Sequence, residues 1–104
     1  MQITKKDFQK KVIESSGLVL VQFRTEWNGA CQIVGMMYTE LAGSYQGMAS
    51  FFTVEAEKET ELDKQYGILE FPTILFFNNG ELIDHTIGLV SKNILIKKIE
   101  NALN

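Results

Sequence analysis

Cysteine and proline are almost missing from this chain of 104 residues, which holds one of each, Cys31 and Pro72. A solitary cysteine excludes a disulfide scaffold and any zinc site assembled from several thiolates, and a solitary proline excludes a collagen-like repeat. Long apolar runs are absent too. Stretches such as Leu18 to Val21 and Ile74 to Phe77 fall far short of the ~20 residues that span a bilayer. No basic cluster exceeds a pair, and 10 Lys and Arg against 13 Asp and Glu leave a net charge of −3. That balance argues against nucleic acid as a partner. Lys5, Lys6 and Asp7 stand where a signal peptide would begin its apolar stretch, so a cytoplasmic location is expected. Gly-rich phosphate loops, nucleophile elbows and zinc motifs do not occur. The lone His85 has no acidic or thiol partner at ligand spacing, so no metal and no cofactor are expected.

What is present suffices for a core: 45% of residues are apolar and 22% charged. A mass of 11.8 kDa fits a single domain over 1–104. Thr4 and Asp7 resemble a helix-opening box, with Phe8, Val12 and Ile13 on one face and Gly17 at the end. Leu18 to Phe23 reads as a strand buried on both sides. Val34, Met37, Tyr38, Leu41, Ala42 and Tyr45 follow i, i+3, i+4, i+7, which predicts a long amphipathic helix stopping near Gly47. Met36 and Met37 are expected to pack with it.

Ser50 to Ala56 predicts a second strand. Leu62 and Tyr66 lie on a short helix closed by Gly67, and Glu55, Glu57, Glu59 and Glu61 read as a solvated stretch before and within it. Thr73 to Phe77 and Leu82 to Ile87 form a hairpin through Asn78, Asn79 and Gly80, because Asn-Gly tolerates the positive φ of a tight turn. Ser91 caps a last helix, with Leu95, Ile99 and Leu103 facing inward and Lys92, Lys97 and Lys98 facing water. The order α, β, α, β, α, β, β, α predicts an α/β fold. A parallel crossover joins the first two strands, and the mixed four-stranded sheet carries helices on both faces.

Three places carry a chemical signal. Trp27-Asn28-Gly29-Ala30-Cys31 opens the long helix directly after a buried strand, the kind of turn where ligands collect in α/β sheets. Phe71-Pro72-Thr73 enters a strand, and Ile87-Gly88-Leu89 follows the hairpin. With Glu26-Trp27, Gly29, Cys31, Tyr66-Gly67-Ile68, Phe71-Pro72-Thr73, Asn79-Gly80 and Gly88 in this order, nearly the whole chain resembles the thioredoxin family. The resemblance implies the thioredoxin fold, with or without a short extra N-terminal strand, a cis bond before Pro72, and descent from protein-disulfide oxidoreductases.

In that family a first cysteine attacks a substrate disulfide as the thiolate, and a second resolves the mixed disulfide. The resemblance puts Asn28 at the attacking position and keeps only the resolving one, Cys31. It also sets Gln22 in place of a buried aspartate, Thr53 of a lysine, Arg24 of a tryptophan, and Ala30 and Met36 of prolines. So many departures favour natural loss of dithiol function, and whether the chain is an enzyme stays open. Asn28 reads either as a helix cap or as a ligand-binding amide, and Cys31 either as a buried apolar side chain or as a reactive thiol. Trp27 is expected to cover the end of the sheet, with a second role as a binding anchor. The expected function is redox-inactive binding of a peptide or protein. Its surface is a rim of Trp27, Asn28, Gly29, Ala30, Phe71, Pro72 and Gly88, and the alternative is monothiol exchange at Cys31. The oligomeric state is not read from the sequence.

Overall fold

A computed structural model describes all residues of the chain, Met1–Asn104. A short helix α1 (Lys5–Phe8) runs into a π-helical turn (Gln9–Ile13), and then come β1 (Leu18–Arg24), α2 (Gly29–Ser44), β2 (Ala49–Glu55) and α3 (Thr60–Tyr66). The hairpin β3 (Thr73–Asn78) and β4 (Glu81–Ile87) leads to α4 (Lys92–Leu103). The four strands lie in the order β2-β1-β3-β4. β1 and β2 are parallel, and β3 is antiparallel to both β1 and β4. This is the expected mixed sheet. The extra N-terminal strand amounts to one bridge, Gln2 beside Thr53.

Two cores explain why these sequences fold this way. Alternation along β1 sends Val19, Val21 and Phe23 to one face, where they meet Phe8, Val12, Leu62 and Phe77. Leu18 and Leu20 point to the other, where Val34, Tyr38, Leu41, Phe76, Leu95 and Ile99 close over them. A buried phenylalanine or leucine contributes roughly 1.5–3 kcal/mol, so each face holds its helices firmly. Tyr38 adds a polar tie: its hydroxyl lies 2.9 Å from the Leu20 carbonyl oxygen and 2.6 Å from that of Phe52.

The hairpin turn holds Asn79 at φ 52° and Gly80 at φ 80°, the two positive values that a tight primed turn needs. Asn79 also fixes the turn to the chain before β1, donating its N–H to the Gly17 carbonyl and accepting from the Gly17 N–H.

Several expectations are corrected. The first helix does not stay α-helical: from Gln9 its hydrogen bonds widen to the π pattern, although Phe8, Val12 and Ile13 still share the apolar face. Met36 does not pack but is 70% exposed, because α2 turns that face away from the sheet. Lys98 is half-buried rather than solvated, since it reaches Asp84 at 2.8 Å. Glu55 is likewise buried and paired with Arg24, its neighbour in the β1–β2 register.

Candidate functional site

Strand register brings the three signal-bearing segments to one end of the sheet. Phe23, the last apolar residue of β1, pairs with Thr73 at the start of β3, and Thr73 pairs with Ile87 at the end of β4. The turn before α2, the loop before β3 and the loop after β4 therefore emerge side by side. The Phe71–Pro72 peptide is cis. Gly88 ties its loop to this one by donating its N–H to the Pro72 carbonyl at 2.8 Å, and its φ of 72° lies in the region that favours glycine.

Asn28 is the N-cap of α2. Its side-chain oxygen accepts from the Cys31 N–H at 3.1 Å, satisfying one of the free donors of the first turn. Gly29 and Ala30 follow as the first residues of the helix. Cys31 is wholly buried, with 0% of its surface exposed. Phe71 is half-buried against the core that holds Phe23 and Leu62, and Pro72 is buried beside it.

Trp27 departs from expectation. It does not cover the sheet end but projects into solvent from the turn before α2, 83% exposed. Leu89 is also exposed on the adjoining loop after β4. Exposed apolar groups at the open end of a sheet are available to a partner, not to the core. All seven predicted rim residues thus lie on this end, and Cys31, in the first turn of α2, is buried.

Three positions that the resemblance sets apart from the family pattern, Gln22, Thr53 and Arg24, form a second group, which Glu55 joins. Gln22 sits in the middle of β1, 1% exposed, and its Nε2 has no hydrogen-bond partner. Leaving a buried amide donor unpaired costs roughly 1–3 kcal/mol. Thr53 lies beside Gln22 in register, and two residues further along the strands the Arg24 guanidinium donates to Glu55 Oε1 at 2.8 Å. The available signal was a polar residue interrupting an otherwise apolar strand. No group of His, Cys, Asp and Glu is arranged to hold a metal ion, and no helix is long and apolar enough to cross a membrane.

A mixed four-stranded sheet between helices, with a cis-proline loop and the start of the long helix at one end, defines a class of small α/β domains. Comparison with known proteins gives the family. The thioredoxin family model matches residues 1–101. The chain is 33% identical over 99 residues to a thioredoxin of Chlorobaculum thiosulfatiphilum, covering 95% of this chain and 92% of the relative. It is 34% identical over 101 residues to a thioredoxin of Rickettsia felis, covering 97% and 96%. Chloroplastic thioredoxin M4 of Arabidopsis thaliana is 34% identical over 97 residues, covering 93% of this chain and 50% of that one. The chain belongs to the thioredoxin family.

Proposed function

We propose that this protein binds extended protein segments at the rim and performs no dithiol–disulfide turnover. The observation that carries the proposal is the single cysteine, Cys31, with Asn28 standing at the place of the attacking sulfur and occupied as a helix cap. An amide side chain cannot displace a disulfide sulfur, and one thiol cannot close an intramolecular disulfide. What the site retains is binding surface. Trp27 offers a solvent-facing aromatic anchor, and the loop at Pro72 brings main-chain groups to the open end of the sheet, where an extended segment can hydrogen-bond to them.

The burial of Cys31 favours this reading over monothiol exchange, since a mixed disulfide needs the sulfur to reach its partner. A lone free thiol also suits a reducing compartment, and the proposal places the protein in the cytoplasm. The test is binding to a carboxymethylated, permanently unfolded polypeptide by the wild type and by a Trp27→Ala, Phe71→Ala double variant. Binding that weakens on the order of tenfold or more in the variant supports the rim. Equal binding by both proteins would remove it.

A further inference from the structure

On one face of the sheet the helices stop short of the edge. The core beneath α1 and α3 takes side chains from β1, β2 and β3 but none from β4, the outermost strand. Leu82, His85 and Ile87 pair with Phe77, Leu75 and Thr73, so they point to that face, and all three are exposed. Between them and the loop after α3 lies a mainly apolar groove of about 310 Å³, floored by Leu75. Leu69 stands on its lip, 90% exposed. Aliphatic side chains gathered in this way mark an interaction surface, and none of the seven rim residues lines it.

The edge itself does not invite an added strand. The His85 N–H donates to Asp84 Oδ1 at 2.8 Å, an oxygen that Lys98 also holds, so that main-chain donor is taken. The register shift between Phe76 and Phe77 breaks the edge further along. A partner must therefore dock by side chains across the face.

The face is complementary to itself. Leu69 projects beside a hollow wide enough to receive a leucine, the arrangement that a two-fold pair requires. The polar groups repeat the pattern. Glu70 is the groove's one carboxylate and His85 its one imidazole; both are exposed, and neither side chain has a partner within the chain. Across a two-fold axis the carboxylate of each protomer can accept from the imidazole N–H of the other.

We propose that this face joins two copies of the chain in an isologous dimer, with Leu69 filling the partner's groove and Glu70 meeting the partner's His85. Ten lining residues are fewer than the ~20–30 per side of a standard interface, so the dimer is weak and exchanges with monomer. It does not depend on what the rim binds.

Sedimentation velocity of the full-length protein from about 20 μM to about 1 mM reads the state directly. The sedimentation coefficient should rise with concentration toward that of a dimer. Leu69→Lys should stay monomeric with an unchanged thermal midpoint, because Leu69 faces solvent and not the core. Trp27→Ala should associate like the wild type. Glu70→Lys and His85→Glu should each associate at least about tenfold more weakly alone. Their equimolar mixture should recover association, because each contact across the axis then joins a carboxylate to a basic group. A wild type monomeric at the highest concentration, association that survives Leu69→Lys, association lost in Trp27→Ala, or a mixture no better than its components would each overturn the proposal.

Discussion

The side-chain oxygen of Asn28 accepts the backbone N–H of Cys31 at 3.1 Å, so the residue that the resemblance sets at the attacking position caps α2. Asn28→Ala should therefore lower stability by about 1 kcal/mol, the usual cost of losing such a cap, while Asn28→Asp should hold it. Urea unfolding measures both. An alanine variant as stable as the wild type would deny the capping role.

Supplying the missing sulfur tests the complementary point. Asn28→Cys places a second thiol three positions before Cys31, with two residues between them, the family's own spacing. Both thiols should disappear together on mild oxidation, as counted with a thiol reagent under denaturing conditions. Turnover should remain far below that of an ordinary thioredoxin, because Gln22 cannot take up or release the proton that the family's buried carboxyl handles. A variant that reduces substrate disulfides at full speed would show that the loss rests on one residue alone.

Gly80 closes the hairpin at φ +80° with its Cα turned toward the π-helical turn, and an added Cβ would collide with the Ile13 carbonyl oxygen. Neither the backbone angle nor the space admits alanine. Gly80→Ala should cost upwards of about 2 kcal/mol by chemical denaturation. The corresponding change at Gly43 on α2, where a Cβ meets nothing, should be neutral or stabilising.

All three tyrosines titrate late. Burial pushes Tyr38 well above the usual value of 10.0, hydrogen bonding to Glu100 raises Tyr45, and burial raises Tyr66. Each folded hydroxyl holds its proton more tightly than its unfolded counterpart, so their contribution is complete below about pH 10 and fades as pH rises further. Phenolate absorbance in the native protein should therefore lag behind free tyrosine and then appear together with alkaline unfolding. Tyr38→Phe should soften that alkaline loss while costing stability at neutral pH, where the ties to Leu20 and Phe52 are broken. Normal titration of any one tyrosine in the folded state would contradict this.

Local chemistry explains why so much of the fold is legible in the sequence. The period of α2, the apolar run of β1 and the Asn79-Gly80 turn each state their structure within a few residues. Asn28 and Ser91 announce the caps they form. The features that escape depend on residues distant in the chain. Glu55 looks solvated among alternating carboxylates until parallel pairing sets it beside Arg24. Lys98 looks like a surface lysine until α4 packs over the hairpin and meets Asp84. Met36 and Trp27 carry core-forming side chains, yet Met36 lies on the outer face of α2 and Trp27 in the turn before it, and both are exposed. The widening of the first helix at Gln9 has no marker in its charged sequence.

Catalytic reduction of insulin disulfides, with dithiothreitol as electron source and an ordinary thioredoxin alongside, bears most directly on whether this family member has left redox chemistry. The wild-type protein should leave the rate at that of dithiothreitol alone, and Cys31→Ser should change nothing. Acceleration comparable to the ordinary thioredoxin, abolished by Cys31→Ser, would contradict the account.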